Sequence, residues 1–204
     1  TFTTATVIAA LQAAADLADV SDDKASAVKW RAAAGDIEEQ SHKYLYNSKR
    51  NSFYKGLLVK NGQIEYDETI DASSVYGAFM FGLFPVGSPE LKSSVDSFLQ
   101  TFPADTGIVA YPRYENDSYR HSNSNEKSNW WFITTLWMAQ YSLETEDPEL
   151  AKAILTWING ISMQTSIMAE QISPIDHSLI APSPLTWSHA EYLSTLLDTI
   201  KQEP

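Results

Sequence analysis

Apolar residues recur at helical spacing along nearly the whole chain. Val7, Ile8, Leu11, Ala14 and Ala18 form a first stripe. Ala27, Trp30, Ala34, Ile37 and Tyr44 form a second, entered through Ser21-Asp22, a pair suited to capping a helix N-terminus. A third follows Asp71 and carries Val75, Tyr76, Phe79, Met80 and Leu83. Ser88-Pro89 opens a fourth, with Leu91, Val95, Phe98, Leu99 and Phe102 along one side. The fifth covers Asn129 to Leu143, and the sixth starts at Asp147-Pro148 and carries Leu150, Ala151, Ile154, Trp157, Ile158 and Ile161. The last runs from Trp187 through Ala190, Leu193, Leu197 and Ile200. Between the second and third, "NSFYKGLLVKNGQIEYD" places Asn61-Gly62 where a hairpin turn is expected. The pattern predicts an all-α protein of about seven helices with a small β-hairpin excursion. No Pro/Gly/Ser-rich linker divides it, so residues 1–204 read as one domain.

Two kinds of helix alternate. "NWWFITTLWMAQYSL" is apolar on nearly every side, the mark of a helix buried all round, whereas "SPELKSSVDSFLQTF" keeps one apolar stripe and one wet face. Alternation of this sort, in stacked helical hairpins, suggests an inner ring of helices within an outer one. The loops ahead of the inner helices then become informative. "GIVAYPRYENDSYRHSNSNEKSNWW" is long for a compact domain, and long loops often carry function. "MAEQISPIDHSLIAPSPLTWSHAEYL" sets Glu170 and Gln171 on a proline-punctuated loop between two helices.

Composition narrows the chemistry. Apolar content of 44% and aromatic content of 12% support a real core and exclude a disordered chain. The 26 acidic against 14 basic residues leave a net charge of −12, which repels phosphate backbones and anionic lipid. Nucleic-acid and membrane partners are therefore disfavoured. No run of about 18 apolar residues occurs, so no membrane-spanning helix is expected. No signal-peptide pattern is present, and the lack of cysteine removes disulfides and thiolate metal sites while leaving the compartment open.

No dinucleotide fingerprint, P-loop, HExxH or EF-hand pattern appears, and the four histidines are scattered, so neither a metal nor a cofactor is expected. Ser178 and Ser188 lie near His177 and His189, but neither sits on a strand–turn–helix elbow that would make a nucleophile of it. What remains is carboxylates with aromatics at loop-to-helix junctions: Glu170, Gln171, Arg113, Tyr119, Trp131 and Trp187. Aromatic faces stack on sugar C–H surfaces, planar polar groups bind hydroxyls, and carboxylates supply the acid and base of glycosidic cleavage. Taken singly, each has a bland explanation, since a lone Trp is usually core and a loop Glu usually solvated.

Three motifs in order give the set more weight. "AEQ…PLTWSHAEYL", with Trp187 seventeen residues beyond Glu170, resembles the general-base motif of glycoside hydrolase family 15, the glucoamylases and their relatives. "RYENDSY" resembles that family's substrate-arginine loop, and "NWWFITTLWMAQY" its "NPWF-x-x-TLW-x-A" helix, with Trp130 in place of the usual proline. The resemblance covers essentially the whole chain and corresponds to the C-terminal half of the family's catalytic domain. It implies part of an (α/α)6 toroid of six helical hairpins. By the same resemblance Glu170 is the catalytic base, Gln171 helps hold the attacking water, and Arg113 binds hydroxyls of the outermost glucose. Tyr119, Trp131 and Trp187 would line the pocket.

The implied activity is inverting, exo-acting release of glucose from the non-reducing ends of α-1,4-glucans. Hydrolysis of α-1,6-glucans or trehalose is the alternative within the family, and a non-catalytic carbohydrate-sensing barrel the alternative outside it. The implied partners are an α-glucan or oligosaccharide substrate and the missing N-terminal half of the barrel. The family's general acid lies in a "WEE"-like segment that falls upstream of Thr1, so these residues alone are expected to be inactive. Asp71 looks like a helix cap, and Glu115 and Asp117 belong to the arginine loop, so none stands in for it.

Overall fold

The computed structural model describes residues 1–104, 107–121, 127–162 and 166–202. They form two compact units, Thr1–Phe98 and Leu99–Pro204. Seven α-helices, as the sequence predicts, and three small antiparallel sheets, of which the sequence predicts one hairpin, account for the regular structure among the described residues.

In the first unit α1 (Phe2–Val20) packs against α2 (Lys24–Tyr44) and α3 (Ala72–Met80). The α2 cap lies one residue beyond the expected pair. Asp22 takes a left-handed φ of 60°, ending the preceding turn, and the Asp23 carboxylate accepts from the Ser26 N–H at 3.1 Å. Asp71 caps α3, accepting from the Ser73 N–H at 2.7 Å. α1 and α3 meet so closely that a Cβ on Gly77 would lie 2.9 Å from Phe2 Cα, which only a glycine avoids. β1 (Tyr46–Asn47) pairs with β2 (Ser52–Phe53), and β3 (Gly56–Lys60) with β4 (Gln63–Asp67). Asn61 and Gly62 both adopt positive φ at the β3–β4 turn, as a two-residue hairpin of this twist requires. α4 (Pro89–Thr101) buries Leu91, Val95 and Phe98 and leaves its other face wet.

The second unit is built round α5 (Phe132–Glu144), which is buried from Phe132 to Leu143 and packs against α6 (Pro148–Ser162) and α7 (Thr186–Gln202). α6 turns Ala151, Ile154, Leu155 and Ile158 inward. β5 (Trp130–Trp131), β6 (Gln171–Ile172) and β7 (Leu179–Ile180) form a three-stranded antiparallel sheet at the entrance to α5.

Some expected core positions are exposed. Val7 and Met80 face outward, and α7 inverts its expected polarity: Leu193, Leu197 and Ile200 are exposed while Ser188, Thr195 and Thr199 are buried. The hydroxyls make this tolerable, because each donates to a backbone carbonyl, Ser188 to Ala169, Thr195 to Glu191 and Thr199 to Thr195. With its hydroxyl so satisfied, a small residue packs like an apolar one of its size.

Candidate active site

All six candidate residues belong to the second unit. Residues 107–121 lead into the site, and Arg113 is fixed there by a bidentate pair: Nε donates to Asp117 Oδ2 at 2.7 Å and Nη2 to Asp117 Oδ1 at 2.8 Å. Asp117 is 2% exposed and also accepts from the Tyr119 N–H, so one buried carboxylate sets both the guanidinium and the following turn. Planar two-point contact of this kind fixes direction as well as distance. Arg113 Nη1 and one Nη2 hydrogen stay outside that fork.

Aromatic rings hold the guanidinium from below and beside. It stands 4.0 Å from the centroid of Trp131, with Tyr114 at 5.1 Å and Tyr119 at 5.2 Å. Tyr119 and Trp131 are themselves 6.1 Å apart with tilted rings. Trp131 is buried, whereas Tyr119 presents nearly half its surface. Burial works against the charge on Arg113, but the hydrogen bond with Asp117, helped by the charges of Asp117, Tyr114 and Glu170, lifts its pKa above the ordinary arginine value.

Glu170 arrives from the other side. β6 begins at Gln171, whose backbone pairs with Trp131, while Ile172 pairs with Trp130. The register welds the glutamate loop to the start of α5. Gln171 is fully buried: its Oε1 accepts from Asn129 Nδ2 at 2.9 Å, and its Nε2 donates to Glu170 Oε2 at 2.9 Å. The amide is thereby oriented by one neighbour and orients the next. Glu170 is half-buried, its N–H donates to the Pro182 carbonyl, and its charge reaches both Arg113 and Arg120. The loop that carries it is tied to α7 by the Leu185 N–H to the Met168 carbonyl and by the Met168 N–H to His189 Nε2.

Four residues near the site hold left-handed backbone conformations uncommon outside glycine, Asn116 at φ 59°, Arg120 at φ 64°, His177 at φ 59° and Ala181 at φ 68°. Conformations of this type concentrate where a protein holds a loop for a purpose. Trp130, at the position of the expected proline, is buried and set edge-on against Trp157 at 6.0 Å, with His177 at 5.7 Å on another side. Among the described residues no group of His, Asp and Glu could hold a metal ion.

Five of the six candidates thus gather round one point: Arg113, Tyr119, Trp131, Glu170 and Gln171. Trp187 stands in an adjoining cluster. Its ring lies 5.9 Å from Trp137, and its Nε1 donates to Glu191 Oε1 at 2.9 Å. The sequence reading passed over three further residues, Asp117 as the anchor of Arg113, Asn129 as the donor to Gln171, and Glu191. The four-residue spacing of Trp187 and Glu191 on a predicted helix was the available signal for Glu191, and Arg113 and Asp117 lie in a loop where spacing gives none.

A helical frame that sets a half-buried carboxylate beside an arginine laid on indole and phenol rings has the make-up of a helical glycosidase domain. The family model for glycosyl hydrolases family 15 matches residues 1–146. The chain belongs to that family. Its fold is that of the glucoamylases. A bacterial glucoamylase solved in complex with acarbose superposes with a TM-score of 0.80 at 20% identity, covering 98% of this chain and 33% of the other. A glucoamylase from Saccharomycopsis fibuligera gives 0.68 at 17% identity, covering 98% and 55%. A wild-type glycosidase gives 0.63 at 16% identity, covering 87% and 46%. The chain therefore spans between a third and just over a half of these structures. No curated protein shows a significant sequence match. The family match includes Arg113, Tyr119 and Trp131 and ends before Glu170, Gln171 and Trp187.

Proposed function

We propose that this chain carries the catalytic base and the substrate arginine of an inverting, exo-acting α-glucosidase that releases glucose from the non-reducing ends of α-1,4-glucans. The observation that supports this best is the Asn129–Gln171–Glu170 relay beside the Arg113 platform, joined through the Trp131–Gln171 backbone pair. A terminal glucose offers two kinds of surface. Its hydroxyls suit the Arg113 N–H groups outside the Asp117 fork, and its C–H faces suit Tyr119 and Trp131.

In this reading a water held between Glu170 and the Gln171 amide loses a proton to the Glu170 carboxylate. The water oxygen bonds to the anomeric carbon, and the bond to the leaving oxygen breaks on the opposite face. That oxygen takes a proton from a general acid supplied by chain outside these 204 residues, which also completes the pocket. An inverting site needs its two carboxyl groups roughly 6.5–9.5 Å apart, so that the water fits beside the base. The partial coverage of the solved relatives and the open apolar stripe of α7 both favour such a completing segment.

The test is glucose release by the full-length protein from maltose, isomaltose and trehalose, with the anomer read before mutarotation. β-Glucose from maltose is the expected product. Preference for isomaltose or trehalose would move the assignment to the family's other linkages. Tight binding without turnover would favour a sugar-sensing domain, and initial α-glucose would remove Glu170 from the role of base.

A further inference from the structure

Glu191 lies outside the group round Glu170, yet three side-chain N–H groups meet its carboxylate. Oε1 accepts from Trp187 Nε1 at 2.9 Å and from Trp137 Nε1 at 3.3 Å, and Oε2 accepts from Gln140 Nε2 at 2.8 Å. Gln140 also donates to Thr195 Oγ1 at 3.1 Å, which fixes its amide. Three N–H donors from two helices therefore converge on one half-buried side chain, and no cation is paired with it among the described residues. A structural carboxylate on a helix surface usually meets a lysine or arginine. This one gathers two indoles.

We infer that Glu191 is a positioning residue that holds the Trp187 ring as a stacking platform for a sugar ring of the substrate, an inference that rests on the glucosidase reading above. Trp187 opens α7 and is half exposed. Left alone, an exposed indole samples several rotamers, and binding must then fix it at an entropic cost. Here the ring is fixed beforehand. Glu191, one turn on, takes the Nε1 hydrogen, and Trp137 supports the ring at 5.9 Å. With that hydrogen already committed, Trp187 has no polar donor left to offer a hydroxyl. It presents a face and a C–H edge, which select the apolar side of a pyranose. The Trp137 and Gln140 contacts couple the platform to α5, whose N-cap Trp131 lies beneath Arg113, so the two aromatic surfaces are tied to one helix.

The test uses three substitutions in the full-length protein, with kcat and KM on malto-oligosaccharides. Glu191→Gln keeps the reach and loses the charge. Its amide oxygen still accepts both indole hydrogens, so the tether on Trp187 remains while the Gln140 contact is given up. Glu191→Asp keeps the charge and loses one methylene, so it falls short of Trp187. Glu191→Ala loses both. Positioning predicts that the Asp and Ala variants raise KM about tenfold with kcat nearly unchanged, and that Gln stays within about two-fold of wild type. It also predicts non-additivity: on a Trp187→Ala background, Glu191→Asp raises KM no further.

The opposite pattern, with Gln impaired and Asp like wild type, would assign the effect to charge and overturn the inference. So would an unaltered KM in all three with only the melting temperature lowered. Should Glu191→Ala not fold, the Gln and Asp pair decides alone. Iodide quenching of Trp187 emission, read against Trp187→Phe, adds a measurement that needs no turnover: Glu191→Asp should increase the quenching and Glu191→Gln should not. If the wild-type protein hydrolyses no α-glucoside, the glucosidase reading has failed instead, and the quenching comparison still reports on the tether.

Discussion

The backbone of Trp131 is paired antiparallel with that of Gln171, and the side chains of these two residues serve opposite halves of one site. Trp131 lies beneath the Arg113 guanidinium, while Gln171 holds Glu170. A single bridge between strands of two residues therefore sets the spacing of Glu170 and Arg113. Backbone pairing is stiff where a loop alone would not be, and a reaction sensitive to ångström errors in placement gains from it.

Glu170→Gln in the full-length protein is expected to lower kcat about 10²–10⁴-fold while KM stays within a few-fold, because a general base acts in the transition state. Steady-state kinetics on maltose decide it. A variant retaining a tenth of the wild-type kcat would show that another group takes the proton.

Asp117 should matter through Arg113 and not through the chemistry. Its burial means that Asp117→Ala strips a half-buried guanidinium of its partner, a change that costs roughly 3–5 kcal/mol where such pairs are fully enclosed and less here, with Arg113 partly open to water. The expected outcome is a KM raised by about an order of magnitude with a smaller change in kcat. Asp117→Asn keeps one acceptor and should fall between. Equal KM values across the three proteins would detach the arginine from substrate.

Gln171→Ala removes the acceptor of Asn129 and the donor to Glu170 together. One N–H of the buried Asn129 amide then loses its acceptor while the weaker contact to the Tyr119 carbonyl at 3.4 Å remains, and an unpaired buried donor costs about 1–3 kcal/mol, so chemical denaturation should register a loss of that order. Gln171→Glu should fare worse, since it faces Glu170 with a second carboxylate.

The turn after β6 should respond to acid. Asp176 is held at a pKa of about 2 against an ordinary 3.8, through hydrogen bonds from Ser173 and Ser178 that favour its charged form. A depressed folded-state pKa gives stability that is fully present above 3.8 and is lost as pH falls through about 2. The Ser178 amide, which donates to Asp176 Oδ1 at 3.1 Å, should lose hydrogen-exchange protection across that window. In Asp176→Asn the pH dependence should vanish, and its persistence would trace the effect to another group.

The helices, their order and the β3–β4 hairpin were legible because each depends on neighbours within a few residues. A 3.6-residue apolar period, a proline after a cap and an Asn-Gly turn are local signals. Glu170 and Arg113 drew notice through three motifs in order that resemble those of the family, since taken singly each has a bland explanation.

Packing decided the remainder. Periodicity shows that a helix has two faces and does not say which one meets a neighbour. α7 turned Ser188, Thr195 and Thr199 inward because their hydroxyls close onto backbone carbonyls, leaving Leu193, Leu197 and Ile200 outside. The Trp131–Gln171 pairing joins positions forty residues apart, and Glu191 draws together indoles from α5 and α7. The Trp131–Gln171 pairing and the reach of Glu191 to Trp137 are written in no local spacing. Both arise from the geometry in which buried donors and acceptors must find one another once α5 is enclosed.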